Sequence, residues 1–212
     1  MAEKASHDKP LNIKKIRKYL EKELDPKRYE HTLGVAYIAA ALAMRYEADL
    51  YKAELAGMLH DCAKCMSNEK KLLLCRKNGM EITAIELKNP FLLHAKAGSL
   101  VARKKFHIQD QDILNAVKSH TTGRPCMSVL EKIVFIADYI EPGRKNAPGL
   151  QEIRKLAFEN LDACLYRILE DTLAYLRDQE GDIDPMTENT YQYYKGYMDK
   201  MRGGEIHEQS GA

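Results

Sequence analysis

At 212 residues the chain is long enough to bury one sizeable core and short enough to form a single domain. Its 45% hydrophobic and 30% charged residues read as a globular protein, and a net charge of +2 from 33 basic and 31 acidic side chains excludes a general nucleic-acid coat. No apolar run approaches the roughly 20 residues that a bilayer span needs, so no membrane partner is expected.

The N-terminal stretch 1–10 is polar, lacks the apolar segment of a secretory leader, and is expected to be a disordered tail. A first helix is predicted over 11–23. Asp25-Pro26 then supplies an N-cap and a proline at the first helical position for a helix over 26–45, whose residues Leu33, Tyr37, Ala40, Ala41 and Met44 share one face. Asp49 and Ser67 are caps for helices over 49–62 and 67–77, Asn89-Pro90 repeats the cap-and-proline device before 90–106, and Asp110 opens 110–121.

Ser128 and Glu131 form a capping box ahead of a helix over 128–141. The β-branching of Val134 to Ile136 alone would allow a strand, but the box and the lack of an alternating partner favour a buried helix. After the turn Ala147-Pro148-Gly149, the leucines from Leu156 to Leu176 predict one long helix over 149–178. A last helix is predicted over 186–200, and the small polar stretch 203–212 is expected to be a second disordered tail. The fold class is therefore all-α, with one domain over 11–200.

Chemistry first shows at His60-Asp61. Seven histidines and thirteen aspartates give about 0.4 chance occurrences of such a pair, so the dipeptide alone decides nothing. Its surroundings do more, because it ends the apolar run Ala56-Gly57-Met58-Leu59, where an unpaired buried polar group costs ~1–3 kcal/mol. His31 begins another apolar face and Asp138 sits inside Phe135-Ile136-Ala137-Asp138-Tyr139-Ile140. Separate hydrogen bonding would satisfy any one of them, whereas a shared buried cation satisfies all four.

These residues resemble the H…HD…D signature of the HD-domain phosphohydrolases, an all-helical metal-dependent family. The closer resemblance is to the YqeK family of symmetrical diadenosine tetraphosphate hydrolases, which release two ADP. It is carried by Arg28-Tyr29-Glu30-His31-Thr32-Leu33-Gly34-Val35, Gly57-Met58-Leu59-His60-Asp61-Cys62-Ala63-Lys64, Leu93-His94-Ala95 and His120-Thr121-Thr122-Gly123, then Ile136 through Arg144.

The resemblance implies an HD-domain helical bundle around a buried metal centre with His31, His60, Asp61 and Asp138 as ligands. It implies one or two divalent transition-metal ions, iron favoured, and attack by a metal-bound hydroxide, with Asp61 as the candidate bridge between two ions. His94 and His120 match positions that complete a second metal site or contact substrate phosphates. Asp61, Lys64, His94 and His120 are then the catalytic set, either histidine being a possible proton donor. Lys64, Thr121 and Arg144 match positions near the phosphates, Arg144 as a bidentate grip. Tyr191, near the nucleoside, is a stacking or an ordinary packing residue. Arg124, His7, His107 and His207 are read as surface residues.

Five cysteines, an odd number, point to reduced thiols and a cytoplasmic location. Cys62-x-x-Cys65 has no second pair at zinc spacing and no strand–helix frame, so it reads as two ordinary thiols. The expected partner is a dinucleoside polyphosphate or another small nucleotide; nucleic acid is not expected, and a homo-oligomer is compatible. Two competing functions remain: the same fold acting on a different nucleotide, and a non-catalytic nucleotide- or metal-binding regulatory module.

Overall fold

Between helix α1 (Ile13–Glu23) and helix α2 (Pro26–Arg45), Asp25 takes an extended backbone and its carboxylate accepts the Arg28 amide, as its sequence position predicts. The structure, a computed structural model, describes residues 13–145, 147–179 and 182–209, with the backbone alone for 202–209. The expected tail 1–10 and His7 lie outside the described residues, as does the side chain of His207. His107 is exposed.

Helix α3 (Leu50–Leu59) begins at Asp49, which accepts from the Lys52 amide, and α4 (Asn68–Lys77) begins at Ser67, which accepts from Lys70. The predicted run to residue 62 is too long. From His60 the chain turns tightly, with the amides of Cys62, Lys64 and Met66 reaching back three residues to Leu59, Asp61 and Ala63. A short helix α5 (Ala84–Lys88), unpredicted, stands on a capping box between Thr83 and Glu86.

The predicted helix 90–106 divides. Pro90–Leu93 is a 3-10 turn for which Asn89 makes no side-chain cap, and α6 (His94–Lys105) follows it. Helix α7 (Gln111–Ser119) is capped by Asp110, and α8 (Val129–Ile140) by the Ser128–Glu131 box, with Val134 and Ile136 fully buried in helix. The single helix predicted over 149–178 is two, α9 (Leu150–Glu159) and α10 (Leu161–Asp178). They meet at Asn160, whose extended backbone (φ −148°) breaks the run and whose side chain accepts from the Ala163 amide. Helix α11 (Pro185–Gln209) runs past its predicted end. Of the expected tail 203–212, residues 203–209 continue this helix and 210–212 lie outside the described residues.

All of Leu55 to Leu59 in helix α3 is buried, which makes its second half a central element. It packs on α2, α7 and α8, and α8 in turn packs on α2, α7 and α10. The approach of α2 to α3 requires Gly57, because a Cβ there would lie 2.9 Å from the Ala36 Cα. A smaller cluster of Ala63, Cys75, Leu93, Ala97 and Leu100 locks α4 to α6. The ends of α3 and α7, the start of α6 and the faces of α2 and α8 therefore converge. Among the described residues no helix is long and apolar enough to cross a membrane.

Candidate metal centre

Four imidazoles follow one another through this convergence, with ring centroids 5.3 Å apart for His31–His60, 5.0 Å for His60–His120 and 5.1 Å for His120–His94. His60, Asp61, His94 and His120 are buried; His31 and Asp138 are half-buried. Three rings are oriented in the same way. The Nδ1 of His60 meets the Gly57 carbonyl at 2.7 Å, that of His94 the Phe91 carbonyl at 2.9 Å, and that of His120 the Val117 carbonyl at 2.8 Å. A carbonyl only accepts, so each Nδ1 carries the proton and each Nε2 presents a lone pair to the centre.

His31 is held differently, its Nδ1 lying 3.2 Å from Glu141 Oε1 and its Nε2 3.1 Å from Asp138 Oδ1. Glu141 also accepts from the Gly143 amide at 2.6 Å. Its carboxylate occupies the space beside Gly34, where a Cβ would come within 2.9 Å of Oε2.

The Nε2 atoms crowd together in pairs. His31 Nε2 and His60 Nε2 are 3.3 Å apart, and His94 Nε2 and His120 Nε2 are 3.2 Å apart. Asp61 Oδ1 is 3.3 Å from the Nε2 of His94 and 3.5 Å from that of His120, yet it is buried without a hydrogen-bond partner. A bare carboxylate oxygen facing two nitrogen lone pairs is costly in a protein interior and is the donor set a divalent cation requires. The residues present fit a metal.

Two groups have ligand atoms close enough to share an ion: His31, His60 and Asp138, and His60, Asp61 and His120. His60 has one free lone pair and cannot serve both at once. Asp61 has two oxygens, Oδ2 at 3.6 Å from His60 Nε2 and Oδ1 toward His94 and His120. With two ions, Asp61 is the group able to bridge.

Protonation agrees with this arrangement. Burial pushes the His60 imidazolium down to about 4, and burial with the neighbouring His120 pushes His94 down to about 3. Burial would raise the carboxyls of Asp61 and Asp138, but the imidazoles around them hold both well below the usual carboxylate range. Burial likewise opposes charge on His31, and Asp138 and Glu141 outweigh it to raise its pKa.

Three cations rest on these groups. Arg28 Nη1 is 2.9 Å from Asp61 Oδ2, Lys64 Nζ is 3.1 Å from His94 Nε2, and Arg144 Nη2 is 3.4 Å from Asp138 Oδ1. Each is about one-third exposed, so part of each head group faces solvent. Thr121 lines a cavity of 430 Å³ between α7 and the start of α11. The structure does not bring Tyr191 to the centre: its ring stacks on Tyr166, 5.6 Å away at 15°, between α10 and α11. Arg124 pairs with the buried Glu131 at the edge of the Thr121 cavity, more embedded than the surface residue expected.

Sequence reasoning gave no role to Arg28 or Glu141. Arg28 stands three residues before His31 on α2 and Glu141 three after Asp138, at the end of α8, so helical spacing from the ligands was the available signal. The Cys62 and Cys65 thiols do not pair. Burial pushes the Cys62 thiol up to about 12, while Cys65 is exposed and donates weakly to Asp25.

The chain is similar to known proteins. The family described as the HD domain matches residues 28–143. A protein named bis(5'-nucleosyl)-tetraphosphatase, symmetrical, from Bacillus subtilis (strain 168) is 38% identical over 82% of this chain and 92% of its own length. One of the same name from Halalkalibacterium halodurans is 40% identical over 85% and 96%. A crystal structure of a predicted HD superfamily hydrolase involved in NAD metabolism, from Clostridium acetobutylicum, matches with a TM-score of 0.85 at 42% identity, over 88% of this chain and 98% of that one.

Proposed function

The chain belongs to the HD-domain family, and from that membership we propose that it hydrolyses diadenosine tetraphosphate symmetrically to two ADP at the centre described above. The observation that carries this reading is the convergence of His31, His60, Asp61, His94, His120 and Asp138, with Lys64 and Arg144 beside it. The bridging reading of Asp61 supports two ions. Mixed imidazole and carboxylate ligands suit iron, manganese, cobalt or nickel, and the resemblance favours iron. When bound, the metal lowers the pKa of water from 15.7 toward ~7 and neutralises charge on phosphoryl oxygens.

The chain's own groups then bind and orient the polyphosphate. Arg144 offers guanidinium donors to phosphate oxygens on the His31 side. The Thr121 hydroxyl lies in the smaller cavity, whose apolar walls include Leu92, Leu176 and Met186 and suit one nucleoside. His94 and His120 spend their single N–H on backbone carbonyls, which favours roles as ligands over roles as acids. Lys64, 3.1 Å from His94 Nε2 and 3.7 Å from Asp61 Oδ1, is left as the proton-bearing group nearest His94, placed to hold charge on the leaving ADP. A cytoplasmic setting accords with the five free thiols.

The test is a nucleotide panel on metal-loaded protein with product analysis and metal quantification. Diadenosine tetraphosphate should yield ADP as the sole nucleotide product. Efficient turnover of another nucleotide with no ADP formed from the dinucleotide would reject the substrate, and tight nucleotide binding without any hydrolysis would favour a regulatory module.

A further inference from the structure

The row of imidazoles has two ends, and a cavity lies beside each. At the far end Ser119 and Thr121, which flank His120, and Ala95, which follows His94, line the 430 Å³ cavity. At the near end His31 itself lines a cleft of 830 Å³ between α2 and the turn after α8. The substrate of the proposed reaction is symmetric about its central bridging oxygen, so cleavage there leaves an identical nucleoside diphosphate on each side. One cavity accounts for one of them.

We propose that the near cleft binds the second nucleoside diphosphate half of the substrate, with Arg28, Arg144 and Lys27 on its phosphates and Tyr37 against its base. This rests on the dinucleotide reading above. Arg28 and Arg144 touch the ligand carboxylates of Asp61 and Asp138 from the cleft wall. A guanidinium has five N–H donors, so each retains donors for phosphate oxygens. Of the three acids on the wall, Asp25 is engaged in capping α2 and Glu141 in holding His31 and the Gly143 amide, while Glu30 is exposed to solvent. Lys27 adds a third cation.

Tyr37 is on the same face of α2 as Gly34 and Leu33, yet it is 53% exposed. The period of α2 marks it as a core position, and the fold leaves its ring in the cleft instead. An exposed aromatic ring at the end of a cationic groove is a platform for a purine face. The two ends therefore differ: a smaller cavity that mixes apolar side chains such as Leu92 and Leu176 with charged ones such as Lys96 and Asp184 at one, and a wider cleft carrying Lys27, Arg28, Arg144 and the Tyr37 ring at the other.

The test compares metal-loaded wild-type chain with Lys27→Ala/Tyr37→Ala, both substitutions being on exposed side chains. Binding is measured for ADP and for a diadenosine tetraphosphate whose central bridging oxygen is replaced by methylene. The variant should bind the dinucleotide analogue about tenfold more weakly, with KM for diadenosine tetraphosphate raised in proportion and ADP affinity, set by the smaller cavity, retained. Unchanged analogue affinity and KM in the variant, with wild-type hydrolysis intact, would overturn the cleft assignment and leave the hydrolase reading standing. A wild-type chain that binds metal and ADP but does not cleave the dinucleotide would overturn both.

Discussion

Glu141 Oε1 lies 3.2 Å from His31 Nδ1, giving His31 a carboxylate partner where His60, His94 and His120 have backbone carbonyls. An anion behind an imidazole fixes its tautomer and raises its basicity toward a metal. The two halves of the centre are thus unequal, and the His31 half is the more electron-rich. Glu141→Ala should weaken metal binding by about 10–100-fold, read by competitive metal titration. Glu141→Gln, which can still accept from Nδ1–H, should recover part of the loss. Equal affinity in all three proteins would remove Glu141 from the centre.

Asp61 touches both halves. Its replacement by alanine removes the one group with an oxygen for each ion, so the loss of metal should exceed the about 10–100-fold that an outer partner costs, and turnover should fall to background. Metal content of the purified variant and an ADP-release assay give the two readings. Full activity in Asp61→Ala would end the site assignment.

The metal-free protein should lose stability on acidification. The folded pKa values of His60 and His94, about 4 and about 3, lie below the ordinary histidine value of about 6.5, so the unfolded chain binds more protons through this window. Stability from these two groups is full above about pH 6.5 and declines as pH falls toward 4 and then 3. The depressed carboxyls of Asp61 and Asp138 add a further loss below the usual carboxylate range. His31 has a raised pKa and acts in the opposite sense: its stabilisation is present below about 6.5 and fades as pH rises through its folded value. Two groups against one give a net fall. Denaturant midpoints of chelator-treated protein between pH 7.5 and 5 test the sign; a flat or rising curve on acidification would contradict it.

Most helices were legible because their first residues carry local chemistry. Asp25, Asp49, Ser67, Asp110 and Ser128 each cap where the sequence places them. The convergence of His31, His60, Asp61 and Asp138 was legible as polar residues in apolar runs. Breaks inside a continuous periodicity were not. The leucine pattern from Ile153 to Leu173 crosses Asn160 without interruption, because α9 and α10 both bury apolar faces in the same core. Only the dual role of Asn160, ending one helix and capping the next, reveals the break. Asn160→Ala should cost ~1 kcal/mol in denaturant unfolding and leave metal content unchanged, since Asn160 has no contact with the centre. The exposure of Tyr37 was illegible for a related reason, as periodicity assigns a face but not what covers it.

The resemblance puts Lys64 near the phosphates, and a tight turn after α3 carries it to the centre. The chain leaves α3 at Leu59, and the bond from the Lys64 amide to the Asp61 carbonyl folds it back over its neighbour. Its ammonium then donates to the Nε2 of His94, the atom a metal would take. A metal ligated by His94 would release the Lys64 donors from that nitrogen while leaving them beside Asp61, in position for phosphate oxygens. Lys64→Ala should therefore retain its metal and lose about 10²–10³ in kcat, with a smaller change in KM. Lys64→Arg should recover little, because a planar fork cannot occupy the place of a compact ammonium between His94 and Asp61. Metal loss matching the activity loss would instead make Lys64 part of the scaffold that holds His94.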